Sequence, residues 1–469
     1  MKAVGIATNA GKWSFSETIS RTLVCAIVCS LPIMLFNPMV YRLQVTEALV
    51  ALLLLVMMWR MGHGSERLVR PPIALCAVAV WIGCACVSVR NAPVPREAWI
   101  ETGKLVYLWG LAYLLYHHGV RYRMGEQLWN WMAIAFGIVL GGVVLGLGLL
   151  LCGVENALVH PYRIIAIALN IDSWVDYVPR AHSFLQPTAN MLGAYLAGMT
   201  LPVMLYMEAR GWWPSRWRLI AGTVGVLGAG ALTMSRTVVG ILVATGIGWY
   251  WIGRTRKWRW GGIGFCVVGL LTWFALIPFT VFYPLHVGAS YSTHPDFKKE
   301  MIVDDRGRVR PNPVYFLRPG YGMEQWTFQF GYGFNHYAWL KYGAWTLFRR
   351  HPVIGLGLGQ YGRGRQALQA EGVLPPDLHE YASAQSQYAT SLAEMGLVGF
   401  LVGGGACVVL GWGLLHRGRR AQAVAIALGI VAIIALDIDV IAFRWVWGLV
   451  GIGLVPLGLG VQHDGLRGV

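Results

Sequence analysis

Apolar residues in this chain gather into long runs separated by polar connectors. Windows of about 20 apolar residues, the length an α-helix needs to cross a bilayer, fall near residues 21–41, 44–61, 71–90, 103–119, 128–152, 182–207, 217–234, 236–252, 260–284, 386–415, 421–441 and 443–462. Runs this long show neither the two-residue alternation of a half-buried strand nor the one-sided stripe of a helix on a water-soluble core. They predict an all-α, polytopic membrane protein with about twelve transmembrane helices. The run at residues 10–41 is longer than a removable secretory signal and lacks its small-residue cleavage site, so it is expected to stay. Two connectors break the rhythm: residues 153–181, and residues 285–385, which are rich in Tyr, Gly, Pro and His. A loop of about one hundred residues is usually functional or folded in its own right. The expected division is therefore residues 1–284 with nine helices, residues 285–385 as a large loop domain between spans nine and ten, and residues 386–469 with three helices and a short tail.

Composition agrees. Of 469 residues, 56% are apolar and 13% charged, and the mean hydropathy is +0.53. A soluble domain carries about 25% charged residues. A disordered chain, a disulfide-dense secreted module and an ordinary soluble enzyme are excluded. Lys and Arg number 38 against 22 Asp and Glu, a net charge of +16. A nucleic-acid partner is not expected, because the basic residues sit in short connectors and not on one solvated face. Arg60, Arg67 and Arg70, then Arg121 and Arg123, Arg210, Arg216 and Arg218, Arg254, Arg256, Lys257 and Arg259, and Arg417, Arg419 and Arg420 mark alternate connectors. With Lys2, Lys12 and Arg21 they put both termini in the cytoplasm and both long connectors on the outer side. The eight cysteines lie in or beside apolar runs with no metal-knuckle spacing, and read as small packing residues.

Orientation does not account for Arg180, Arg236, Arg349 and Arg350, which fall on the outer side. Arg180 precedes the sixth span, and Arg236 sits between spans seven and eight. An arginine at that depth either snorkels or meets an anion, and its planar fork suits phosphate oxygens. Asp437 and Asp439 fall near the outer end of the eleventh span, where a carboxylate could orient an arginine or a sugar hydroxyl, or pair structurally with Arg444. The stretch from Arg349 to Gly359 contains Pro352 and alternating glycines. It has neither the Gly-Lys-Ser/Thr ending of a Walker loop nor the strand–helix setting of a dinucleotide fingerprint, and a tight turn is its simplest structural reading.

Four stretches together resemble the O-antigen ligase and polymerase superfamily of bacterial envelope glycan enzymes. They are Arg180 to Asn190 with its Phe184…Pro187…Asn190 pattern, Ser235-Arg236-Thr237 opening an apolar span, His351-Pro352-Val353-Ile354-Gly355-Leu356-Gly357 closing the large loop, and Leu392-Ala393-Glu394-Met395-Gly396-Leu397-Val398-Gly399. They occur in the family's order, and the likeness covers roughly residues 20–460. One position departs: where the ligase pattern has a histidine, this chain has Gln385, followed by Ser386. The nearest histidine is His379, with His336 and His351 further back.

The resemblance implies a glycosyltransferase of the bacterial inner membrane whose site faces the periplasm. Its donor would be a glycan on undecaprenyl pyrophosphate, attacked at the anomeric carbon by an acceptor sugar hydroxyl. Arg180 and Arg236 are the expected pyrophosphate ligands, with Arg349 or Arg350 on phosphate or acceptor. Candidates for the catalytic base are His379, His336 and Glu380. Tyr and Trp in 315–345 could stack on sugars or form a packed aromatic core. Pyrophosphate leaves readily and no Asp-x-Asp motif is seen in the outer loops, so no metal or other cofactor is expected. Gln385 tilts the reading to a polymerase of O-antigen or exopolysaccharide, with a chain-length regulator as a possible partner. The second reading is a ligase acting on lipid A–core, and a third, of another class, is a transporter or flippase. Membrane lipids are partners in each.

Overall fold

A computed structural model of the chain describes residues 15–33, 44–154, 158–162, 178–181, 183, 189–212, 216–233, 235, 237–252, 256–277, 301–303, 309–311, 339–374, 383–436 and 438–456. In chain order the helices are α1 Phe15–Ser30, α2 Val45–Gly62, α3 Ile73–Ser88, α4 Pro95–Arg121, α5 Gly125–Leu151, α6 Ala189–Ala209, α7 Arg216–Leu232, α8 Val238–Ile252, α9 Arg256–Ile277, α10 residues 339–350, α11 Tyr361–Ala370, α12 Gln387–Leu415, α13 Arg419–Ile434 and α14 Arg444–Gly453. Each of the twelve apolar runs carries a helix, while α10 and α11 lie in the stretch expected to be loop. Two small antiparallel pairs accompany them: β1 Val159–Tyr162 with β2 Val178–Ala181, and β3 Met301–Val303 with β4 Val309–Pro311.

The helices pack as a bundle. Helix α12 lies along α3, α8 along α9 and α6, α13 along α6, and α14 along α4. Four stretches are long and apolar enough to cross a membrane: Val45–Gly62, Ile73–Asn91, Gly125–Leu151 and Gln387–Leu415. Only 22–44% of their apolar windows is buried in the bundle. The rest faces outward, including Leu55 and Met58 on α2, Val144 on α5, and Val408 and Trp412 on α12. An apolar exterior on this scale belongs in lipid, because soluble monomers keep contiguous apolar patches to a few hundred Å². The chain is a helical membrane protein. Some packing expectations need correction: Cys76, Cys152 and Cys407 are exposed on this outer surface, and among the described residues of the last run the helix covers Arg444–Gly453.

One end of the bundle carries the arginine-rich connectors and is the basic end. There the 63–72 connector holds a buried cluster that the arginine pattern did not reveal. Glu66 lies 3.1 Å from Arg60 Nε and accepts hydrogen bonds from Tyr122 Oη at 2.6 Å and His117 Nε2 at 3.1 Å. His117 Nδ1 accepts the Val69 backbone N–H, which leaves the ring proton on Nε2, facing Glu66. Burial opposes ionisation of Glu66, but Tyr122, Arg60 and His117 outweigh it and hold its carboxyl below the ordinary range. Its contribution to stability is therefore complete above about pH 4.5 and is lost as pH falls through the lowered pKa. Glu66→Gln should remove about 3 kcal/mol or more, since it leaves buried Arg60 uncompensated. Thermal unfolding in detergent at pH 7 and at pH 3.5 checks this: acid should bring the wild type toward the variant.

Candidate functional site

The end opposite the basic connectors gathers the four motif stretches, and two of them interlock through their backbones. Helix α12 breaks at Gly396, which has φ +65° and ψ −170°. An unbroken helix would bond Leu397 N–H to Ala393 O and Val398 N–H to Glu394 O. Here Leu397 N–H donates to Pro352 O at 2.8 Å and Val398 N–H to Val353 O at 3.1 Å, while Ala393 O and Glu394 O accept from Leu356 N–H at 2.9 Å and Gly357 N–H at 2.8 Å. The Pro352–Gly357 loop thus replaces two helical bonds with four between the loop and α12, which is how irregular backbone is tolerated within a membrane bundle. The close approach needs glycine on both sides. A β-carbon on Gly355, at φ +75°, would lie 2.3 Å from Glu394 backbone atoms, and one on Gly396 would lie 2.4 Å from Val353 O. The 351–359 stretch is therefore a built insert and not a plain turn.

Neighbouring polar groups fix this insert. Asn91, in the short 3-10 turn Val89–Asn91, donates to Gly355 O at 3.0 Å, and the buried Gln360 side chain accepts Val94 N–H at 3.2 Å. Glu394, fully enclosed, accepts the N–H groups of Gly359 and Tyr361 and so caps the start of α11. Tyr361 Oη donates to Leu340 O at 2.6 Å, tying α11 to α10, and Arg365 is buried one turn on, donating to Gln369. Glu394, beside Asp439, and Arg365 are buried polar groups of this insert to which sequence reasoning gave no role. Glu394 was visible as an acid inside an apolar run.

The remaining stretches join by direct contacts. Gln387 N–H donates to Ala435 O at 2.9 Å, and Ile441 N–H to the Gln387 side chain at 3.1 Å, so the start of α12 is bound to the connector after α13. A β-carbon on Gly240 of α8 would sit 2.7 Å from Ile434 Cδ1, at the end of α13. Gly193 of α6 meets Thr237 so closely that an added β-carbon would lie 1.8 Å from Thr237 Oγ1. Strand β2, which contains Arg180 opposite His160, packs on α5, α6 and α7. Ser183 donates to Val139 O of α5 at 2.7 Å. The flanks of Arg180, Arg236 and Asp437 thus meet at the end of the bundle that holds the 351–359 and 392–399 insert.

Arg236, His336, His379, Glu380 and Asp437 themselves lie outside the described residues, and of Arg180 only the place in its strand is described. Arg349 is exposed on α10. Arg350 is engaged by Glu371 through two hydrogen bonds of 2.9 and 2.5 Å, which hold the Glu371 carboxyl below its ordinary range. Among the aromatic residues of 315–345, Trp339 is buried while Tyr342 and Trp345 are exposed.

Three expectations are corrected. Helix α13 ends at Ile434, so Asp439 sits in a connector and not within a span, and the Asp437-x-Asp439 spacing does occur at this end. Asp439 is enclosed, facing the Ser383 and Thr390 hydroxyls. Arg444 pairs with Glu47 of α2 at 2.6 Å and not with Asp439. Gln385, at the position where the resemblance calls for histidine, has φ +53°. A non-glycine residue in that region costs about 1–3 kcal/mol and persists only where its surroundings enforce it.

No protein-family model matches the chain, and no curated protein sequence matches it. The functional reading rests on the residues themselves.

Proposed function

We propose that this protein is a glycosyltransferase of the bacterial inner membrane that uses a lipid-pyrophosphate-linked glycan as donor. In this reading twelve spans place both termini in the cytoplasm, and the motif end faces the periplasm. The single observation that supports it most is the joining of all four motif stretches, distant in sequence, at one end of the bundle. The alternative, four isolated sequence coincidences, gives no reason for them to meet.

The chemistry follows from the residue types. An acceptor hydroxyl attacks the anomeric carbon, the bond to the pyrophosphate oxygen breaks, and its electron pair leaves with the carrier lipid. Arg180 and Arg236 hold the pyrophosphate and stabilise the charge that grows on it. His379, His336 or Glu380 takes the hydroxyl proton, and Asp437 orients an arginine or the attacking hydroxyl. Arg349 is free of an ion pair with the described acids and can reach an acceptor, whereas Arg350 must first leave Glu371. Polymerase is preferred to ligase because Gln385 replaces the ligase histidine.

The test is purified protein in liposomes supplied with an undecaprenyl-pyrophosphate-linked oligosaccharide, with and without lipid A–core. Longer lipid-linked chains are expected. Transfer only to lipid A–core would make it a ligase, and movement across the bilayer without transfer would make it a transporter. Turnover is expected to persist in a chelator. Loss in EDTA with recovery on adding a divalent cation would give the Asp437-x-Asp439 pair a metal and overturn the metal-free mechanism.

A further inference from the structure

At the basic end, away from the motif stretches, an open cavity of about 280 Å³ is set among α5, α6 and the connector after α6. Glu126, in the first turn of α5, lies on its wall and is shared by two arginines, Arg420 of α13 at 2.5 Å and Arg210 at 3.6 Å. Arg21 of α1 donates to Gln127, also on the wall, at 3.3 Å. Two guanidinium groups, from α13 and from the connector after α6, therefore share one carboxylate, which leaves net positive charge at the wall. Tyr206 contacts both. Its hydroxyl accepts from Arg210 Nε at 3.2 Å and donates to Asn130 at 3.4 Å, and the Arg420 guanidinium lies 5.5 Å from its ring centre. Two tryptophans, Trp131 and the exposed Trp212, complete the lining.

We propose that this cavity binds the phosphate headgroup of an anionic phospholipid of the adjacent leaflet. Guanidinium forks match phosphate oxygens, and basic pockets between membrane helices bind anionic headgroups. The tryptophans supply the other half of the ligand's chemistry, since indole rings settle where polar headgroup meets acyl chain. A soluble phosphate would use the arginines but gain nothing from the rings, so the lipid is the assigned source. The inference rests on the membrane reading alone and stands whether or not the protein transfers glycans.

The experiment is native mass spectrometry of full-length, delipidated protein reloaded with phosphatidylglycerol or phosphatidylcholine. Phosphatidylglycerol should be retained in preference to phosphatidylcholine. Joint Arg210→Gln and Arg420→Gln substitution should cut that retention roughly tenfold or more. Trp212→Ala, at an exposed residue whose loss leaves the bundle intact, should lower it too. Arg363→Gln, at an exposed ion pair with Glu97 on the opposite end, should not. Equal retention of the two lipids, unchanged retention in both the double variant and Trp212→Ala, or full displacement of the lipid by millimolar inorganic phosphate would overturn the assignment.

Discussion

Arg180→Ala and Arg236→Ala should each lower the turnover of lipid-linked glycan by about 10²–10³, the usual result of removing one preorganised donor from developing negative charge. Binding of the donor should weaken less than the rate falls, because charge on the bridging oxygen grows only as the sugar leaves. Lysine at either position should recover only part of the loss, since an ammonium keeps the charge but not the two-pronged hydrogen bonding. Steady-state kinetics on purified variants check this. Normal turnover in both would remove the arginines from the mechanism. Arg349→Ala and Arg350→Ala should have smaller effects, because Arg349 is exposed and Arg350 is already held by Glu371.

Gly355→Ala and Gly396→Ala should lose folded protein. Each places a β-carbon within 2.4 Å of backbone across the insert, at positive φ. Overpacking alone costs about 1–3 kcal/mol, and the left-handed backbone adds about 1–2 kcal/mol. Neither can be relieved by moving a side chain, because the clash is with main chain. The controls are on the same helix: Gly404→Ala and Gly405→Ala meet no heavy atom within 4 Å and should leave the protein intact. Thermal unfolding followed by size-exclusion chromatography in detergent separates the two pairs. Wild-type stability in Gly355→Ala would contradict the interlocked geometry.

The helices were legible in the sequence because lipid selects residues by average polarity over about 20 positions, a signal strong enough to place a helix on every run. The same averaging hid the break in α12, since one glycine barely changes the mean of its window, although at Gly396 four backbone groups leave two helical bonds for partners in the 352–357 loop. It also carried the eleventh run past the true end of α13, because Ile438, Val440 and Ile441 are apolar yet non-helical. Partners distant in sequence were not legible at all. Arg444 has Asp439 five residues away but takes Glu47, because the starts of α2 and α14 share one end of the bundle. Nothing local marks Glu66 as buried, because Arg60, His117 and Tyr122 reach it only where the end of α2 meets the end of α4. The motif stretches were legible one by one, but their joining through Gly193, Gly240, Gly355 and Gln387 depends on packing that no local pattern encodes.

The central claim is that Arg180 and Arg236 share one cavity and grip a diphosphate there. Electron cryomicroscopy of the purified protein with undecaprenyl pyrophosphate tests it most directly. The account predicts diphosphate density between the two guanidinium groups, beside the insert formed by residues 351–359 and 392–399. Guanidinium groups that point apart into lipid, with the diphosphate bound elsewhere or not at all, would contradict it.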